Sequence, residues 1–344
     1  MHVVHAFDMY GPDIALAASG NTGTLGVTPD ADDIVARVRR GDPRAIGRAI
    51  SAAENEAPGN ETVLGTLFRH SGHAYVLGVT GPPGAGKSSL VDGLVRLLRA
   101  RDLGVGVLAV DPSSPFTGGA ILGDRIRMQA HAYDRGVFIR SMSARGHLGG
   151  LAEATNKAVH VLDAAGKDVV IVETVGVGQS ELEIAGTADT TVVVLTPAAG
   201  DMVQMLKAGI LEVGDIFVVN KADMDGADRL ARDLRTMLNM GEHGAWIQPI
   251  LKAQATAGTG IEQLWQEAER HRAYLKTAGE LAERRRARLR AEILDLVVQR
   301  VRRRLLDDVR GRDEFESLLD RAARREIDPY EAANTLIQSG TLAH

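Results

Sequence analysis

The chain has 344 residues, 44% of them hydrophobic and 25% charged, the make-up of a globular protein with one sizeable core and appended helical elements. A formal net charge of −5 gives no bulk attraction to nucleic acid or anionic lipid, so neither is expected as a partner. The absence of cysteine excludes disulfides, thiolate metal sites and catalytic thiols and accords with a cytoplasmic protein, and no apolar run nears the ~18 residues of a membrane span.

Residues 1–28 are rich in Gly, Ala and small polar residues without periodicity and read as a poorly ordered arm. Residues 29–72 read as a helical segment. Asp42 before Pro43 supplies an N-cap with proline at the first helical position, opening a helix through about Glu56, and Gly59 and Asn60 close the unit.

From His73 the chain alternates short β-branched runs with helical stretches, each run bounded by Gly, Pro, Asp or Ser. The runs are Ala74–Val79, Val105–Val110, Val137–Ile139, Val169–Val172, Thr191–Leu195, Ile216–Val219 and Pro249–Leu251. This is the pattern of an α/β fold with a mostly parallel central sheet, whose functional loops lie at the carboxyl ends of the strands. Residues 73–265 form that unit, and residues 266–344 read as arginine-populated helices. Leu289, Ile293, Leu296, Val297 and Val301 share one helical face, which must pack on the chain's own body or on a second subunit.

The first run leads into Gly81-Pro82-Pro83-Gly84-Ala85-Gly86-Lys87-Ser88, with Ser89 continuing into a helix. Strand, GxxxxGKS loop and helix together are the context of a P-loop. Its backbone N–H groups converge on phosphate, its lysine (Lys87) reaches the β- and γ-oxygens, and its serine (Ser88) ligates Mg²⁺. The carboxylate such sites need at a strand end has three candidates: Asp111, Asp124 and Glu173. Glu173-Thr174-Val175-Gly176 resembles the DxxG switch of Ras-type GTPases with Glu in place of Asp.

Asn220-Lys221-Ala222-Asp223 follows the run ending at Val219, where a guanine-reading NKxD motif belongs. A carboxylate there accepts hydrogen bonds from guanine N1 and N2, whereas adenine would leave buried polar groups unsatisfied, so GTP is favoured over ATP. Gln254-Ala255-Thr256-Ala257-Gly258-Thr259-Gly260 has the spacing of an SAxxGxG loop, with the Ala255 backbone N–H as a second base contact.

Asp111-Pro112-Ser113-Ser114-Pro115 and the glycine-rich stretch on to Asp124-Arg125 closely resemble the family of MeaB and MMAA GTPases. So do Arg140-Ser141-Met142, Gly149-Gly150-Leu151, Glu173 to Glu181, and Lys207-Ala208-Gly209-Ile210. The resemblance runs from about Asp42 into the C-terminal helices. It implies a G domain over residues 73–265, flanked by helical extensions, that binds GTP and GDP with Mg²⁺. The implied magnesium-linked residues are Ser88, Asp111, Asp124 and Glu173, and Asn220, Lys221 and Asp223 hold the base. Pro197 to Lys207 resembles a third switch, with Lys207 able to swing toward the nucleotide beside Lys87. The resemblance further implies a homodimer built on the C-terminal helices. The implied role is that of a chaperone which gates adenosylcobalamin loading of methylmalonyl-CoA mutase.

In Ras-type enzymes the water-orienting glutamine directly follows the switch glycine, but Val177 stands there, so slow intrinsic hydrolysis is expected. Gln179, Arg125 and Arg145 are further candidates around the reaction, while His131, His147 and His160 read as solvated or structural. Two other classes compete: an ATP-dependent kinase of a small molecule or of an arginine/ornithine transport protein, and a nucleic-acid-binding GTPase. The NKAD sequence opposes the first. Glu283, Glu292 and Asp295, which interrupt the arginines from Arg284 to Arg304, oppose the second.

Overall fold

Strands buried on both faces need helices above and below them, and alternating helical stretches supply these. The computed structural model describes residues 31–55, 60–111, 131, 133–143, 150–174, 184–197, 209–240, 244–310 and 313–338. Seven strands, β1 (Tyr75–Thr80), β2 (Val105–Asp111), β3 (Val137–Ser143), β4 (Val169–Thr174), β5 (Thr190–Leu195), β6 (Ile216–Val219) and β7 (Ile250–Lys252), lie in the order β3-β2-β4-β1-β5-β6-β7. Every neighbouring pair is parallel. β1, β4, β5 and β6 are buried along their whole length, as continuous apolar runs under two helical layers require.

Each run read from the sequence is a strand, but β3 continues to Ser143 rather than stopping at Ile139. As the outermost strand it tolerates polar residues, and Arg140 donates to Ser51 Oγ at 2.8 Å and Glu54 Oε2 at 2.5 Å.

One layer holds α1 (Ala31–Arg39), α2 (Pro43–Asn55), α3 (Asn60–Phe68) and α5 (Gly150–Ala164), with Val38, Ile46, Ile50, Leu67, Ala158 and Leu162 in its core. The expected cap is present: the Arg44 and Ala45 N–H groups donate to Asp42 Oδ1 at 2.9 and 3.3 Å. Asn60, however, begins a helix instead of ending the unit. Val63 and Leu67, one turn apart, are buried there, and that packing overrides the weak helix propensity of Asn60 and Gly65.

The other layer holds α4 (Lys87–Ala100) and α8 (Ile261–Thr277), around Leu90, Leu94, Leu264, Trp265 and Ala268. The expected boundary at residue 265 falls inside α8, which buries Leu264, Trp265, Ala268, His271 and Leu275. α6 (Ile210–Val213) and α7 (Ala227–Leu238) pack beside β5 and β6 around Phe217, Leu230 and Leu234.

α9 (Glu280–Arg310) is fixed to the amino-terminal edge of the sheet, away from the P-loop. Fully buried Asp189 accepts from the Val76 N–H at 3.1 Å and pairs with Arg285 at 2.6 Å and with Arg288. Burial pushes the Asp189 carboxyl up, but the two arginines outweigh it and hold the carboxyl below its ordinary value. Asp215 accepts from the Thr191 N–H at 2.8 Å and from Arg284 at 3.2 Å, yet burial wins there and raises it. Further along, Gln299 reaches Glu153, and Leu289, Ile293, Val297 and Val301 are exposed while Leu296 is half-buried. α10 (Asp313–Ala323) and α11 (Pro329–Gln338) pair through Leu318 and Leu336. None of the described helices is long and apolar enough to cross a membrane.

His271 is fully buried beside Asp215, with Thr190 Oγ1 2.8 Å from its Nδ1. Burial, then the nearby Arg284 charge, push it from 6.5 down to about 4. The folded chain therefore resists a proton that the unfolded chain accepts, and stability present above pH 6.5 is lost as the pH falls toward 4. The raised Asp215 carboxyl acts in the opposite sense and offsets part of this. Urea unfolding at about pH 7 and about pH 5 is expected to differ by on the order of 1–2 kcal/mol from His271, and His271→Gln should shrink the difference.

Candidate nucleotide-binding site

β1 is the central strand, and the chain leaves its carboxyl end into Gly81 and turns into α4 at Lys87. Gly81 and Gly86 stand where nothing larger fits. Gly81 has φ 137°, and a Cβ on it would stand 2.1 Å from the Val194 carbonyl oxygen of β5. Gly86 caps α4 at φ 88°, and a Cβ there would stand 2.3 Å from Asn220 Nδ2. Pro82, Pro83 and Gly84 form the tip of the loop, which the Ala85 N–H closes onto the Pro82 carbonyl at 3.3 Å. Ser89 lies in the first turn of α4.

Lys87 is buried and folded back over its own loop, donating to the Gly81 carbonyl at 2.7 Å and the Pro82 carbonyl at 3.0 Å. Ser88 Oγ donates to Glu173 Oε1 at 2.7 Å. Glu173 reaches that point because β4 lies beside β1, with Glu173 in register with Val79. One residue on, Thr174 Oγ1 lies 3.0 Å from Thr80 Oγ1, so the end of the ExxG strand is joined both to the end of β1 and to the first turn of α4. Asp111 is the last residue of β2, the next strand along, and so stands at the same edge. Asp124, Arg125, Arg145, Val177, Gln179 and Lys207 lie outside the described residues.

The NKAD segment is built around Asn220, which is buried just past β6. Its Nδ2 donates to the Ala85 carbonyl at 2.8 Å and its Oδ1 accepts from the Ala255 N–H at 3.1 Å, bracing the P-loop against the Gln254–Gly260 turn. The Ala255 N–H, expected at the base, is thus given to Asn220. Lys221 adopts φ 56°, a left-handed conformation that costs a non-glycine residue ~1 kcal/mol, held by the Met224 N–H on its carbonyl at 2.9 Å. Asp223 follows in the turn, exposed. Past a short turn at Ala255–Ala257, the chain enters α8 at Gly260.

The motifs are legible in the sequence, whereas the Asn220 brace and the threonine pair are not. Buried Asn220 has a donor and an acceptor to satisfy, and Thr80 and Thr174 each end an apolar run. Both signals needed the strand order before they could be paired. Two of the histidines fill structural places: His131 Nε2 is 2.9 Å from Asp92, and His160 lies between Ser71 and Glu292, while His147 lies outside the described residues.

Residues 46–310 match the family described as methylmalonyl Co-A mutase-associated GTPase MeaB. A Pyrococcus abyssi protein that carries GTPase in its name is 47% identical over 311 residues, covering 89% of this chain and 96% of that one. GTPase ArgK of Escherichia coli is 37% identical over 257 residues, covering 72% of this chain and 77% of that protein. The crystal structure of an LAO/AO transport system kinase is similar with a TM-score of 0.67 and 26% identity, covering 92% of this chain and 99% of that chain. With its P-loop, its acidic strand end and its asparagine-braced turn in one parallel sheet, the chain belongs to the MeaB family and is a GTPase.

Proposed function

We propose that the chain is an Mg²⁺-dependent GTPase switch that gates adenosylcobalamin loading of methylmalonyl-CoA mutase and the release of damaged cofactor. The observation that carries the client is the match of residues 46–310 to a family described by its association with that mutase. What supports a switch is the Ser88–Glu173 hydrogen bond, which makes the P-loop and the ExxG strand respond together to whatever enters between them.

Lys87 exchanges its bonds to the loop carbonyls for the β- and γ-phosphate oxygens, and the backbone of Gly81 to Ser89 cradles the phosphates. Ser88 and Glu173, with oxygens 2.7 Å apart, are hard donors of the kind Mg²⁺ takes. Asp111 and Asp124 add carboxylates directly or through water. Among the described residues no three His, Cys, Asp or Glu side chains form a metal cage, so these groups would hold the ion together with oxygens from outside the described residues. The ion, when bound, neutralises charge on the transferring phosphate. Lys207 is the second cation, and Asn220, Lys221, Asp223 and the Ala255 turn hold guanine. Valine at position 177 leaves the attacking water unoriented, so hydrolysis is slow until the mutase reorders the switch loops.

The exposed stripe Leu289, Ile293, Val297 and Val301 on α9 is the face for a second copy of the chain. Size-exclusion chromatography tests both partnerships. Alone the chain is expected at twice its monomer mass, and with an adenosylcobalamin-dependent methylmalonyl-CoA mutase it is expected to co-elute in a nucleotide-dependent way. Separate elution with GDP and with a non-hydrolysable GTP analogue alike would remove the mutase as client.

A further inference from the structure

A cleft of about 590 Å³ opens at the amino-terminal edge of the sheet, where α1, α3 and α5 end and β4 begins. The nucleotide loop leaves the other end of β1, a strand of 6 residues, so about 20 Å separates the two places. The cleft lies within the size range of small-molecule sites.

Its charges are unevenly engaged. Asp163 accepts from the Gly72 and His73 N–H groups at 2.7 and 3.2 Å, Asp168 accepts from the Gly104 N–H at 2.7 Å, and Glu269 faces Arg101 at 3.6 Å. The cationic and imidazole side chains of Arg39, Arg69, His70 and His73 line the same cleft and have no hydrogen-bond or ion-pair partner among the described residues. The acids are occupied by the fold and, apart from Lys167, whose Nζ donates to the Gly136 carbonyl at 2.9 Å, the bases are left over, which gives the cleft a preference for anions.

Two buried donors in its wall make the same point independently. Trp265 is 2% exposed, and its Nε1 has no hydrogen-bond partner. Arg272 has its guanidinium over the Tyr75 ring, 4.8 Å from the centroid, and its Nε is likewise buried without a partner. Buried N–H donors are nearly always satisfied, and indole and guanidinium can only donate, so an acceptor admitted into the wall of the cleft would satisfy both.

We propose that this cleft is a second binding site, for a phosphate-bearing small molecule, with Arg69 and Arg272 as its anion-gripping residues. Planar guanidinium forks suit phosphate oxygens, and the volume leaves room for more than one phosphate group. The inference does not depend on the mutase reading or on the chemistry of the P-loop.

Inorganic pyrophosphate is the probe, added to protein held at saturating GDP so that the P-loop is filled. In a Trp246→Phe background Trp265 is the remaining tryptophan, and its fluorescence is expected to change saturably with pyrophosphate. Calorimetry on the same protein should give the same midpoint. Arg69→Glu, on an exposed side chain where folding is not at stake, should weaken binding at least tenfold, and Arg272→Ala should do likewise. GTP hydrolysis without pyrophosphate should stay at its basal rate in Arg69→Glu. Failure of pyrophosphate to bind GDP-saturated protein overturns the proposal, as does binding that Arg69→Glu leaves intact. Sedimentation with phosphatidylcholine–phosphatidic acid vesicles, without any response to free pyrophosphate, would assign the cleft to a lipid surface and also overturn it.

Discussion

Lys87→Ala is expected to slow GTP hydrolysis by about 100- to 1,000-fold, the loss typical when one preorganised charge or donor is removed from a transition state. Lys87 is the buried cation of the P-loop, and its ammonium is held on the Gly81 and Pro82 carbonyls of that same loop. Truncation removes the charge that would stabilise the γ-phosphate and also frees two loop carbonyls. Single-turnover hydrolysis, alongside the affinity for a fluorescent GDP analogue, separates the two effects, and circular dichroism confirms that the fold survives. Normal hydrolysis by this variant would overturn the assignment of the loop.

Asp223→Asn is expected to weaken GTP binding by about 100-fold or more, because two hydrogen bonds to a charged acceptor, each ~1.5–3 kcal/mol, become one bond to a neutral oxygen and one amide N–H facing a guanine N–H. Asp223 is exposed and carries no part of the core, so stability should hold. Xanthosine triphosphate, with a carbonyl where guanine has its amino group, should bind the variant better than GTP does. If competition against a labelled guanine nucleotide shows GTP still preferred, Asp223 does not read the base.

Much of this was legible because the chemistry is local. Seven apolar runs bounded by turn residues became seven parallel strands, and the P-loop and NKAD fell at strand ends. What escaped depended on neighbours distant in sequence. α3 starts on an asparagine because Val63 and Leu67 find a surface on α2 and α5. β3 carries Arg140 because it is an edge strand with Glu54 nearby. Asn220 braces two loops 135 and 35 residues away in sequence, which no window of sequence contains. The clamp of Arg284, Arg285 and Arg288 on Asp189 and Asp215 looked like part of an arginine-rich surface until the strand order set the two aspartates side by side.

That clamp also bears on how a switch could be read. It fixes the first turns of α9 to the strands that carry the nucleotide loops, with β5 running from Asp189 at one end toward Gly81 at the other. The helix that presents the exposed apolar stripe is therefore rigidly tied to the sheet.

The most direct test is the GTP hydrolysis rate of the purified chain, alone and with an adenosylcobalamin-dependent methylmalonyl-CoA mutase. Slow turnover is expected for the chain alone, with a clear acceleration when the mutase is added. Rapid hydrolysis by the isolated chain, or a rate that the mutase leaves unchanged, would contradict it.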